Sequence, residues 1–117
     1  MSTKTIFIRT DGAGAYSWQR LFRGTIAAIE FQIGDLSTPD IDVTDETYSQ
    51  TFLSVNGVAA DTCYFPNTFR EAADGTDAAL AGTGVKVGAP AVCMGELKVA
   101  ITGGGDTKSG KVIIQYY

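Results

Sequence analysis

Period-two alternation of apolar and polar side chains, cut again and again by glycine, proline and Asx residues, is the feature that most limits how this chain can fold. It is plainest near the C-terminus. Leu97, Val99 and Ile101 alternate with Lys98, Ala100 and Thr102. After a loop containing Gly103, Gly104, Gly105 and Gly110, the residues Val112, Ile114 and Tyr116 share one face, and Ile113, Gln115 and Tyr117 the other. Such spacing fits strands with a buried face, and the glycines permit backbone angles that a side chain forbids. The two strands read as a hairpin. The second is apolar on both faces, so it is expected to be central in its sheet or covered, and to be held by the sheet to its last residue.

The same grammar runs through the rest of the chain. Thr3 to Thr10 reads as a strand with Ile6 and Ile8 inward and Phe7 outward, followed by a turn over Asp11-Gly12-Ala13-Gly14. Tyr16 to Phe22 fits a strand or an ordered loop. From Gly24, the residues Ile29, Phe31 and Ile33 alternate with Ala28, Glu30 and Gln32, while Ile26 is out of phase, as at a β-bulge or in a strand covered on both sides. Gly34 to Pro39 is a connection, because Pro39 cannot donate to a ladder. Asp40 to Thr44 places Ile41 and Val43 inward. Tyr48 to Val55 places Thr51, Leu53 and Val55 on one face. Asn56-Gly57 signals a type I′ hairpin turn, with a return strand from Val58 to Phe65 ending at Pro66.

The stretch from Asn67 to Gly84 breaks the pattern. Thr68 and Glu71 fit a capping box, good for one helical turn before Asp74-Gly75, and the remainder is a long loop. Strand-like sequence resumes from Val85 to Met94, interrupted by Gly88 and Pro90. Seven or eight short strands in 117 residues, with no long helix, predict a single all-β domain, residues 1–117. The expected fold is an antiparallel β-sandwich, Greek-key or jelly-roll-like.

A net charge of −4, with the nine Lys and Arg dispersed, argues against nucleic acid as the partner. No apolar run approaches a membrane span and no leader precedes the first strand, so neither membrane insertion nor export is expected. In such a chain Cys63 and Cys93 are expected to be reduced core residues rather than a disulfide. Histidine is absent, which removes the commonest general base and metal ligand. No nucleophile motif, P-loop or zinc spacing is present. The triple glycine lacks the following helix that phosphate loops need, and reads as a turn. No enzymatic activity and no cofactor are therefore expected.

Two groups of residues invite a functional reading. Asp40, Asp42, Asp45 and Glu46, with Asp35 nearby, supply oxygens that calcium favours, but without the loop glycine of an EF-hand they fit a solvated face better. Phe7, Tyr16, Trp18, Arg20, Phe22 and Arg23, joined by Phe69 and Arg70, combine the residue types that anchor protein interfaces, so they are the candidate partner contacts. Core packing is the competing explanation for the aromatics. An alternative function is a calcium-dependent carbohydrate-binding module, with Tyr16 and Trp18 stacking on a sugar.

Several segments carry a resemblance. They are Lys4-Thr5-Ile6-Phe7-Ile8-Arg9-Thr10-Asp11-Gly12, Arg23-Gly24-Thr25-Ile26, Gly34-Asp35-Leu36, Ile41-Asp42-Val43-Thr44, Tyr64-Phe65-Pro66, Leu97-Lys98-Val99-Ala100-Ile101-Thr102-Gly103-Gly104-Gly105 and Lys108-Ser109-Gly110. Together they resemble small β-rich virion proteins of tailed bacteriophages. The resemblance implies a head decoration or minor capsid protein, with a neck or tail component as the alternative. It would be made in the host cytoplasm and would dock on the outside of the major capsid protein lattice. The resemblance also implies a homo-oligomer, a trimer first, at capsid three-fold positions.

Overall fold

A computed structural model describes residues 1–69 and 88–117. Among these residues the chain forms ten strands: β1 (Ser2–Arg9), β2 (Tyr16–Leu21), β3 (Gly24–Gln32), β4 (Asp40–Asp45), β5 (Gln50–Val55), β6 (Thr62–Tyr64), β7 (Asn67–Phe69), β8 (Gly88–Cys93), β9 (Glu96–Thr102) and β10 (Ser109–Tyr116). The count exceeds the expected seven or eight because β6 and β7, three residues each, are too short to show a period.

The pairings explain the architecture. β1 pairs with β10, β2 with β9, β3 with β6 and β4 with β5, all antiparallel. The first half of the chain therefore runs against the second as one long ribbon. The ribbon wraps so that β10 also meets β3 and β9 also meets β4. The result is two facing sheets, β1-β10-β3-β6 and β2-β9-β4-β5. Interlocked Greek keys of this kind define a jelly roll. The β7–β8 pair is inserted between β6 and β9, and β8 joins β3 beyond β6, at Gly24 to Ile26.

This topology overturns both expected hairpins. β9 and β10 lie in different sheets, so the glycine loop between them is a crossover. Asn56-Gly57 is also a crossover. Gly57 has φ of 65° and Asn56 is not among the positive-φ residues, so no type I′ turn forms. Gly57 N–H instead donates to Asp40 Oδ1 at 2.8 Å and Val58 N–H to the Pro39 carbonyl at 2.9 Å. The return strand shrinks to β6 and pairs with β3 in the other sheet. The helix start expected at Thr68 is absent, because Thr68 and Phe69 pair with Ala89 and Gly88. The rest of that expected turn and the long loop, including Arg70, lie outside the described residues.

The core fills the space between the sheets. Ile6, Ile8, Val112, Ile114, Ile29 and Phe31 from one sheet meet Ile41, Val43, Leu97, Val99 and Ile101 from the other, closed at the margins by Leu36, Phe52 and Val58. β10 is central, between β1 and β3, and its end is held by reciprocal backbone bonds between Thr25 and Tyr117. Ile26 owes its inward position to a bulge. Gln115 faces Ala28 but Tyr116 faces Ile26, so one extra residue of β3 restores the phase. A second bulge corrects the reading of β5. Val43 faces Leu53 but Thr44 faces Thr51, and the extra residue, Phe52, turns into the core while Thr51 is exposed.

Two glycines test the crossovers. Gly34 has φ of 56°, and a Cβ there would overlap the Ser109 carbonyl oxygen, whereas Gly57 has space around it. Gly34→Ala should lower unfolding free energy by at least about 2 kcal/mol, from the left-handed strain plus the clash, and Gly57→Ala by only about 1. Urea unfolding of the two variants checks the contrast.

Candidate functional site: the two ends of the sandwich

Each end of the jelly roll is built from turns, and the ends differ in chemistry. At one end the loops following β1, β3, β5 and β9 are laced together. The buried Thr10 hydroxyl donates to the Gly105 carbonyl at 2.6 Å and accepts from Lys108 N–H at 2.8 Å. Gly104 N–H donates to the Gly14 carbonyl, and Ser37 N–H to the Gly104 carbonyl. Ser109 N–H donates to Asp35 Oδ1 at 2.6 Å, and Ile33 N–H to Asp61 Oδ1 at 2.9 Å. Asp11 Oδ1 accepts from Ala15 and Ala13 N–H, which holds its carboxyl below the usual carboxylate range. Gly104 and the Gly105 carbonyl are thus committed to the protein's own bonds.

The opposite end carries apolar side chains in solvent. Leu21 ends β2, Tyr48 sits in the turn after β4, Met94 in the turn after β8, and Tyr117 follows β10; all are between 62 % and 72 % exposed. Phe22 N–H bonds the Gly95 carbonyl at 2.9 Å, joining two of these turns. A cleft of about 420 Å³ lies beside them, lined by Asp45, Tyr48, Ser49, Gln50, Val92 and Met94. Exposed large apolar groups gathered on one surface are what interaction sites look like.

A buried carboxylate fixes this end from below. Asp45 is 1 % exposed. Its Oδ1 accepts from Thr47 and Tyr48 N–H at 3.0 and 3.2 Å, and its Oδ2 from Met94 N–H at 3.2 Å. The buried Cys93 thiol donates to the same Oδ2 at 3.6 Å. Glu96 N–H donates to Thr47 Oγ1 at 3.0 Å. Gly95 lies so close to Thr47 that a Cβ would overlap it. One side chain therefore ties the β4–β5 turn to the β8–β9 turn and sets Tyr48 and Met94 on the surface. The alternation of β4 marks position 45 as inward, and an inward Asp just before a turn was the available sequence signal.

Burial, with the negative Asp45 as a lesser cause, pushes the Cys93 thiol up from 9.0 to about 11, so it stays protonated and unreactive. Cys63, expected in the core, is exposed on β6; both cysteines are free.

The sequence-derived contact residues do not form one surface. Phe7 is 75 % exposed on the outer face of β1. Tyr16, Trp18 and Phe22 are half-buried and pack against the core, Phe22 edge-on to Tyr116 with ring centroids 4.6 Å apart. Lys4 Nζ lies 5.9 Å from the Trp18 ring. Arg20 and Arg23 are exposed, Arg20 bonding the Gln19 carbonyl. Phe69 lies in β7, and Arg70 is outside the described residues. Of the acidic residues, Asp40 bonds Gly57 N–H, Asp42 the Ser54 hydroxyl, and Glu46 pairs with Lys98 at 3.7 Å. Among the described residues no three His, Cys, Asp or Glu side chains converge as a metal site would require. No protein-family profile matches the chain, and no curated protein is significantly similar to it.

Two measurements follow from the Asp45 knot. Asp45→Ala strands three part-buried N–H donors and should cost about 3 kcal/mol in chemical unfolding, Asp45→Asn less. Because the folded-state pKa of Cys93 is raised, its contribution to stability is complete below pH 9 and fades as pH rises through about 11. The unfolding free energy of the native chain relative to Cys93→Ala should thus fall by up to about 3 kcal/mol across that window.

Proposed function

We propose that this chain is a non-enzymatic structural protein of a tailed-phage virion, a head decoration or minor capsid protein that docks on the outside of the major capsid lattice. The observation that carries the reading is the contrast between the ends: one is closed by its own hydrogen bonds, and the other presents Leu21, Tyr48, Met94 and Tyr117 to solvent above a rigid Asp45 anchor. Jelly rolls recur in viral capsid proteins, which is support by analogy of fold. The resemblance of the strand and turn segments to phage virion proteins points the same way. Attachment is by apolar burial at many repeated lattice positions, so modest affinity per copy suffices when copies are linked.

The test uses heads of the encoding phage assembled without this protein. Added chain should co-sediment with the heads and raise their disruption temperature. Met94→Glu and Leu21→Glu, both at exposed positions, should fold normally and weaken binding by about tenfold or more, since each places a charge where apolar contact is needed. Absence of binding to such heads would remove the reading.

A further inference from the structure

Sheet edges are templates for other strands, and folded proteins blunt them. Among the described residues, four of the five sheet edges are blunted; β6 has only three residues. β1 carries Lys4 on its inward side, reaching over the Trp18 ring. β5 is interrupted by the bulge at Phe52. β7 is three residues long. β2 has six residues in unbroken register with β9, no proline and no bulge.

The groups that β2 leaves free can be identified. Phe22 N–H bonds the Gly95 carbonyl, which continues the β2–β9 ladder by one pair. Antiparallel ladders alternate, so Tyr16, Trp18 and Arg20 bond to β9, and Ser17, Gln19 and Leu21 turn their N–H and C=O groups outward. Arg20 Nη1 donating to the Gln19 carbonyl at 2.9 Å marks that carbonyl as one that β9 does not use.

We infer that the free edge of β2 is a self-association surface, on which a second copy of this chain pairs antiparallel, β2 to β2, about a two-fold axis at Trp18. The sequence of the strand is complementary to itself in this register. Ser17 and Gln19 of one copy exchange both backbone bonds with Gln19 and Ser17 of the other. Trp18 meets Trp18 on the axis. Arg20 leaves its own backbone and lies over the ring of the partner's Tyr16, a cation–π pair made twice by symmetry. Centring the axis on Gln19 would also oppose free groups, but it brings the two Arg20 cations to diagonal positions, where like charges repel. A closed dimer replaces the three-fold assembly that the phage resemblance implies.

The pairing stands apart from the capsid proposal, because it is measured on the purified chain alone. Sedimentation equilibrium should give twice the 12.3 kDa of one chain. Ser17→Pro removes an outward N–H and spares the β9 ladder, so it should give a folded monomer. In a Cys63→Ser background, Ser17→Cys and Gln19→Cys chains should form a disulfide dimer when mixed under oxidation, and neither should do so alone. A native mass of one or three chains, a folded Ser17→Pro that stays dimeric, or Gln19→Cys chains that cross-link to themselves would overturn the inference. If Ser17→Pro does not fold, the cysteine mixtures decide.

Discussion

The insertion of β10 between β1 and β3 is the constraint on which the rest of this structure depends. It pairs Ser2 with Tyr116 and Ile114 with Ile29, so the two termini and β3 must meet before one sheet exists. Until that happens, Val112 and Ile114 have no wall to pack against, and Ile41, Val43, Leu97 and Val99 of the facing sheet have no cover. Such long-range closure is entropically costly and makes folding slow relative to local topologies. Once formed, it places every turn between the facing strands of the described residues at one of two ends, so the chemistry of those turns decides the chemistry of each end.

Side-chain alternation reports which face of a strand is buried, and it did so here for β1, β4, β9 and β10. It is silent on which strand lies alongside. A strand feeding a hairpin and a strand feeding a crossover look alike, because both bury one face and both need a glycine-rich connection. Asn56-Gly57 shows the limit: Gly57 does adopt a left-handed conformation, but to hand its N–H to Asp40 rather than to reverse the chain within a sheet. Breaks in phase were more informative than phase itself. The misfit of Ile26 marks a real bulge, whereas the bulge at Phe52 leaves no break in phase because Leu53 and Val55 keep the pattern going.

The candidate surface was less legible, for a related reason. Residue type cannot separate an aromatic that closes a core from one that meets a partner. Tyr16, Trp18 and Phe22 belong to the margin of the core, while Leu21, Tyr48 and Met94, unremarkable in the sequence, are the exposed ones. What exposes Tyr48 and Met94 is the turn geometry enforced by Asp45, a residue that composition would assign to the surface. Burying a carboxylate is tolerable here because backbone N–H groups from two turns and one thiol converge on its oxygens. Removing the acid would therefore disturb the surface without touching it.

The two proposed contacts, the apolar end and the β2 edge, place geometric demands on each other. Antiparallel pairing of β2 with its copy points the two strands in opposite directions. Leu21 lies at the same end as Met94 and Tyr48, so a dimer directs one apolar end each way along the joined sheet. Such a particle cannot stand upright on a lattice with both ends down. On the proposed lattice such a dimer would lie flat, each end against a different subunit, as a clip between neighbours. Two weak apolar contacts held at fixed separation gain by effective concentration only where the lattice offers sites at that spacing. The paired β2 strands would hold that separation fixed, which a flexible linker could not do.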